Sequence, residues 1–271
     1  MKNLKSTVLI TILLVSVGTI NAQTSSIDNA YILVKYNITS MLDTNNRTKI
    51  TKDIMGLEIS KTGSRYYSVY DEERAKEATE FKKNPTKINM DEASLRNLLS
   101  KMGKPLKIYK DYLSGQTISI DRIASNWYNF KEDTPSFDWE ILTDTSRIIN
   151  QVCQKAICKF KGREYEAWFA QEINVSEGPW KFNGLPGLIL KISDSRKEYS
   201  FEAIAVEKID YPIAPKLVNA QQVSKEKFWE LYQQYIKDPI GFTFDGSGQK
   251  NPGFKVKDAF VPHNPIELTD K

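Results

Sequence analysis

The chain has 271 residues and a near balance of charge, with 38 Lys and Arg against 34 Asp and Glu. The basic runs are short, so the composition argues against nucleic acid as a partner, because phosphate binding needs clustered Lys and Arg. One histidine (His263) and two cysteines are too few for the common zinc sites, and we predict no metal and no cofactor.

The N-terminus has the pattern of a secretory signal peptide. Two lysines precede the uncharged run 8–20, which is shorter than the ~20 apolar residues that a membrane-spanning helix needs. Ala22 is the small residue before a cleavage point. We predict that 1–22 is a signal peptide and that 23–271 is one strand-rich domain, periplasmic or secreted and not membrane-spanning after cleavage. An uncleaved anchor is the alternative.

Alternating apolar residues predict strands through the first half of the chain, most clearly at 30–40, where Val34 and Tyr36 share a face. The other strands expected here are 52–60, 64–70, 108–112, 117–126 and 137–142. Between them, polar and amphipathic patterns predict helices at 71–83 and 90–102.

The second half of the chain has the same character. The run 147–171 predicts a hairpin of two long strands, followed by a strand pair at 188–192 and 199–209. Ser224 caps a helix predicted over 224–237, and 240–271 is an irregular tail. Because strands do not alternate with helices, the expected class is α+β: a large antiparallel sheet, open or curved into a half-barrel, with about three helices on one face or end.

The two cysteines, Cys153 and Cys158, are five residues apart in the predicted hairpin. An oxidising compartment favours a disulfide between them. In one straight strand, however, they would lie about 16 Å apart on opposite faces, beyond the reach of a disulfide, unless a bulge or turn intervened. A disulfide and two buried free thiols are therefore both open.

The most unusual stretch is 176–190, which is punctuated by three glycines and two prolines. Gly187 would allow a close backbone approach or a positive φ. We expect a rigid loop in which Trp180 and Phe182 plug the end of the sheet; the alternative is a loop that contacts a ligand or partner. Its binding residues would then be Gly178, Pro179, Trp180, Phe182, Gly184, Leu185, Pro186, Gly187, Leu188 and Ile189.

Within this stretch, Gly184-Leu185-Pro186-Gly187-Leu188-Ile189 spells the name of a family. The supporting pieces, in order, are Cys153-Gln154-Lys155-Ala156, Phe160-Lys161-Gly162-Arg163, Ala167-Trp168-Phe169, Glu172-Ile173 and Gly178-Pro179-Trp180-Lys181-Phe182. The chain resembles the GLPGLI family of exported Bacteroidetes proteins. The resemblance implies export to the cell envelope, and it supplies no activity and no catalytic residues.

The residues leave three hypotheses for function. The sequence has no nucleophile elbow, P-loop or dinucleotide fingerprint, which favours a non-enzymatic protein that binds or carries a hydrophobic ligand or an outer-membrane partner. The rival is an envelope hydrolase that uses the carboxylates of Glu164, Glu166 and Glu172, two of which should then converge in a cleft. The third is an accessory subunit of an outer-membrane complex.

The signal-peptide prediction is tested by the mature N-terminus. Because cleavage is expected after Ala22, protein purified from the envelope fraction should begin at Gln23 in N-terminal sequencing, and its intact mass should correspond to 23–271. A membrane-bound product that keeps Met1 would support the uncleaved anchor instead.

Overall fold

A computed structural model of the protein describes residues 28–83, 103–213, 219–239, 241–242 and 264–268. The predicted signal peptide, the helix predicted at 90–102, His263 and most of the predicted tail lie outside the described residues.

One sheet dominates the structure. Its strands are β1 (Asn29–Ser40), β2 (Thr51–Ile59), β3 (Gly63–Ser68), β4 (Lys107–Asp111), β5 (Gln116–Ile123), β6 (Asn126–Asp133), β7 (Glu140–Ile148), β8 (Gln151–Phe160), β9 (Arg163–Ala170), β10 (Leu188–Asp194), β11 (Tyr199–Pro212) and β12 (Gln221–Gln222). The described residues also form two helices, α1 (Val69–Lys83) and α2 (Lys225–Lys237). The predicted sheet-dominated α+β class is confirmed, with two helices described where about three were expected.

The sheet is built from two meanders joined along β1 and β11. The strand order is β12-β6-β5-β4-β3-β2-β1-β11-β10-β9-β8-β7. All neighbouring strands are antiparallel except β12, which pairs parallel with β6. The β1–β11 ladder runs from Asn29 opposite Pro212 to Ser40 opposite Tyr199. It therefore brings the first and last long strands of the described chain together at the middle of the sheet.

Two of the predicted strands were placed wrongly. The run predicted at 117–126 ends earlier, turns at Ala124-Ser125 and returns as β6, which was not predicted; the strand predicted at 137–142 is β7, displaced toward the C-terminus. Ala124 has a φ of 53°, a left-handed conformation that hairpin turns usually obtain from Gly, Asn or Asp. The turn therefore carried no recognisable signal in the sequence.

The sheet is strongly curved. Strands β3, β2, β1 and β11 lie between β4 and β10, which would place β4 and β10 about 24 Å apart in a flat sheet. Instead, Lys110 of β4 places its Nζ 2.6 Å from an Oε of Glu177, whose carbonyl accepts a hydrogen bond from the backbone N–H of Ile189 in β10. Two side chains span such a gap only if the sheet bends around them.

The concave face holds the main core. Val34, Tyr36 and Ile38 of β1 point into it, as their alternation predicted. A second cluster covers β5 and β6, where Phe228 of α2 packs with its ring centroid 5.0 Å from that of Phe130. The Ser224 side chain accepts a hydrogen bond from the backbone N–H of Lys227, which confirms the predicted cap.

Removing one partner of the Lys110–Glu177 ion pair is expected to destabilise the folded protein. Both side chains are buried, so Lys110→Met should lower the free energy of unfolding by about 3–5 kcal/mol, because it leaves the Glu177 charge without its partner. Chemical denaturation measures this, and adding Glu177→Gln should recover most of the loss.

The matched control for this pair is the exposed pair of Lys159 and Glu164, whose side chains are 83% and 61% exposed. Lys159→Met should change stability by less than about 1 kcal/mol. Equal losses of unfolding free energy in Lys110→Met and Lys159→Met would contradict the burial of the Lys110–Glu177 pair. So would a double variant that recovers no stability.

Candidate functional site

The connection between β9 and β10, 171–187, which we call the motif loop, lies inside the concave face. The Phe182 ring is fully buried, with its centroid 4.8 Å from that of Tyr165 in β9 and 6.1 Å from that of Phe201 in β11. Trp180 packs 5.1 Å from Phe182 and is also buried. The two rings are buried by the sheet, but Phe182 packs against the interior strands β9 and β11 of the concave face and not at the end of the sheet, where it was predicted.

Gly187 meets both conditions expected of it. Its φ is +154°, and a Cβ there would lie 2.4 Å from the carbonyl oxygen of Ala170. No side chain fits at that distance, so only glycine lets the motif loop rejoin the sheet directly beside the end of β9.

Ion pairs fasten the motif loop to the opposite side of the sheet. Lys181 pairs with Glu132 of β6 and with Glu267, and Lys225 of α2 pairs with the same two carboxylates. Burial raises the pKa of Glu267, but the two ammonium groups outweigh it and hold that pKa below its ordinary value. The cluster of two cations and two anions is formally neutral.

A short piece of the predicted tail, the tail segment 264–268, docks against this region. The buried Arg163 guanidinium donates to Asp194 at 3.0 Å, to Glu198 at 2.8 Å and to Asn264 Oδ1 at 2.6 Å. Asn264 in turn donates to the carbonyl of Met41. These interactions place the tail segment as one wall of the space enclosed by the sheet.

Between the sheet, the motif loop, α2 and the tail segment lies a cavity of about 330 Å³. Its walls are mainly apolar, and their aromatic residues include Tyr66, Phe130, Trp180, Phe201, Phe228 and Tyr232. A space of this size with apolar walls is typical of a site for a small molecule.

One corner of the cavity is polar. The Asp53 carboxylate accepts hydrogen bonds from the Ser68 hydroxyl at 3.0 Å and from the backbone N–H groups of Ile54 and Lys104. The Lys104 ammonium donates to Ser40 Oγ at 3.1 Å. Burial raises the pKa of Asp53 and lowers that of Lys104, although each partly offsets the effect on the other.

Two further polar groups reach the cavity from β5. Asp121 accepts one hydrogen bond, from the backbone N–H of Arg122, and burial raises the pKa of its carboxyl to about 6. Ser119, on the same face two residues earlier, is 1% exposed, and its hydroxyl has no hydrogen-bond partner in the described parts of the chain. Among the described residues, Ser119 and Asp121 therefore both keep unused hydrogen-bonding capacity.

The predicted binding residues divide between core and cavity. Among the ten, Trp180 lines the cavity, whereas Leu185, Leu188 and Ile189 are core residues. Asp53, Lys104, Ser119 and Asp121 were missed. Strand alternation places three of them on definite faces of β2 and β5, but no pattern in the sequence indicated that these faces meet.

Cys153 and Cys158 are both free thiols and both buried in β8. Their odd spacing puts them on opposite faces of the strand, as expected for a strand without a bulge between them. Burial raises the pKa of the Cys158 thiol to about 12, which leaves it in the unreactive protonated form.

The three glutamates of the hydrolase hypothesis lie away from the cavity. Glu164 pairs with Lys159 and Glu166 with Lys155 on the exposed face of the hairpin. Trp168 donates its indole N–H to Glu166 at 3.0 Å. Glu172 lies in the turn after β9, beside a separate depression near β11. None of the three is among the residues that line the cavity.

Comparisons with known proteins bear mainly on the fold. Residues 159–191 match a family model described as "Protein of unknown function (Porph_ging)", a Bacteroidetes-associated family. That segment contains the β8–β9 turn, the motif loop and the start of β10. No curated protein matches the chain.

Among solved structures, the chain is similar to PNGF-II in two crystal forms, at 13% and 12% identity with TM-scores of 0.52 and 0.51. Each match covers 76% of this chain, and the chain spans about a third of PNGF-II, 34% and 33% of the two structures. At this identity the similarity concerns the fold alone.

The described part of the chain contains no helix of the length and apolar character needed to cross a membrane.

The close approach at Gly187 gives a prediction for stability. Gly187→Ala should lower the free energy of unfolding by at least about 3 kcal/mol, because the added methyl group collides with the backbone of Ala170 in addition to straining φ. Thermal and urea unfolding measure the loss.

Gly115→Ala is the control, because Gly115 also has a positive φ but has open space where a Cβ would lie. It should cost only about 1 kcal/mol, the strain of the left-handed conformation. If Gly187→Ala and Gly115→Ala lowered the free energy of unfolding equally, the close approach of Gly187 to Ala170 would not be what requires glycine at 187.

Proposed function

We propose that the protein is a non-enzymatic binding protein of the cell envelope that holds a small, largely apolar ligand in the cavity of the concave face. The observation that carries the proposal is the cavity itself, a space of about 330 Å³ whose walls are mainly apolar and also carry polar and charged side chains. A well-packed core of this size has few voids larger than a water molecule, so a retained space of this kind is typical of a binding site.

The curvature of the sheet supports the same function. We interpret the described sheet as a half-barrel whose open side is partly filled by the motif loop and the tail segment. The GLPGLI resemblance, the predicted signal peptide and the periplasmic or secreted location belong to this proposal, because an exported carrier meets hydrophobic molecules at the envelope.

A protein partner, such as an outer-membrane protein, is the second candidate. The observation that favours it is a set of exposed apolar side chains, Tyr31, Ile204 and Val206, on β1 and the β11 strand paired with it. Isolated exposed apolar residues are common on soluble proteins, so the cavity carries more weight.

The proposal is tested by the fluorescence of the neutral apolar probe N-phenyl-1-naphthylamine. The probe should brighten on binding the mature protein, and Leu106→Trp should weaken its binding about tenfold or more, because the larger ring occupies the cavity that Leu106 lines. Native mass spectrometry of protein purified from envelope fractions should show a small bound mass that is lost on denaturation.

Leu113→Trp is the matched control, because Leu113 is 84% exposed in the turn between β4 and β5. It should leave probe binding unchanged. A wild-type protein that fails to brighten the probe would refute the binding function, and a folded Leu106→Trp variant with unchanged affinity would place the probe outside the cavity.

A further inference from the structure

The two aspartates of the cavity differ in the number of hydrogen bonds that they accept. Asp53 accepts three hydrogen bonds, and the nearby charge of Lys104 partly offsets the rise in its pKa. Asp121 makes no ion pair with any described residue, and its one hydrogen bond comes from the backbone of the next residue. Asp121 thus has less hydrogen bonding than Asp53 and no described cation within ion-pair distance, although the charges of Lys104 and Arg122 partly offset the rise in its pKa.

Ser119 provides an independent sign of an incomplete site. Its hydroxyl is buried, lines the cavity and has no hydrogen-bond partner within the described ranges. Leaving a buried hydroxyl unsatisfied costs stability, and native proteins seldom do so without a reason. Because Ser119 and Asp121 are two residues apart in β5, their side chains share one face.

Aromatic rings surround these two side chains. Phe130 lies opposite Ser119 and Tyr128 opposite Asp121 in the β5–β6 ladder, so all four share the face that α2 covers. Tyr232 of α2 lines the same cavity as Asp121. Burial and then the charge of that carboxylate raise the pKa of the Tyr232 phenol to about 12. Aromatic faces attract cations, and they do so most strongly where water is excluded.

We propose that the ligand carries a protonated amine on its apolar body and that the ammonium group binds between Asp121, Ser119 and the ring of Tyr232. This inference rests on the proposed function and adds the chemical class of the ligand. The ammonium N–H groups supply the donors that Asp121 and Ser119 can accept, and the positive charge neutralises the unpaired carboxylate. The apolar body then extends toward Phe201 and Trp180.

Lys104 is the competing anchor, since its ammonium faces the same cavity. It already donates to Ser40 and lies beside the Asp53 carboxylate. Its charge also acts on Asp121. An anionic ligand would have to compete with both carboxylates for Lys104, whereas a cation at Asp121 would break no described ion pair.

Three probes of equal chain length separate these possibilities at pH 7.5: octylamine, octanol and octanoate. Each is titrated against the complex of the mature protein with N-phenyl-1-naphthylamine, and displacement is followed by fluorescence. Octylamine should displace the probe at concentrations about tenfold lower than octanol, because a charge-assisted hydrogen bond replaces a neutral one. Octanoate should be the weakest of the three.

Asp121→Asn should abolish the preference, so that octylamine and octanol bind within about twofold of each other once each displacement is corrected for the variant's own affinity for the probe. The variant should fold, because it replaces a half-buried charge by a neutral group of equal size; its thermal midpoint should be no lower than that of the wild type. Glu164→Gln, which removes an exposed carboxylate outside the cavity, should keep the full preference.

The outcomes distinguish the two proposals. If none of the three compounds displaces the probe and the probe itself does not bind, the binding function fails. If octanol or octanoate competes as well as octylamine, or if the preference for octylamine survives in Asp121→Asn, the cavity binds apolar molecules but the assignment of an amine is wrong.

Discussion

The rest of the structure depends on the packing of the motif loop inside a curved sheet. A sheet of this many strands exposes two wide faces, and a concave face buries its apolar side chains only if something fills it. Phe182 occupies the centre of that face and contacts rings from β9 and β11. The buried Lys110 ammonium, bonded to Glu177 and to the Phe182 carbonyl, ties β4 to the same loop. Curvature, core and cavity thus follow from one set of contacts.

The buried charges show how this arrangement is stabilised. Arg163 is enclosed by two carboxylates and by oxygens of the tail segment, so its desolvation is offset by several hydrogen bonds. Lys181 lies over the Trp180 ring, 5.0 Å from its centroid, while it pairs with two glutamates. The partners of Arg163 and Lys181 come from distant parts of the chain. These interactions hold the motif loop and the tail segment against the sheet.

The polar corner of the cavity departs from this pattern. Elsewhere on the concave face, the charges that pack against the motif loop are matched within ion-pair distance, whereas Asp121 and Ser119 keep capacity for partners. A carboxylate held in such a place destabilises the folded protein at neutral pH, since burial raises its pKa to about 6. Stability given up at one site of an otherwise well-packed fold is the signature expected of a functional group.

The sequence by itself determined the local elements of this protein. Alternation identified most strands, Ser224 marked the start of α2, and Gly187 was recognised as a position that would allow a close approach or a positive φ. Such features depend on residues within a few positions of one another. The tertiary structure alone decided the curvature, the docking of 264–268 and the cavity. Those depend on contacts such as Lys110 with Glu177 and Arg163 with Asn264, whose partners are 67 and 101 residues apart, a separation at which no local periodicity carries information.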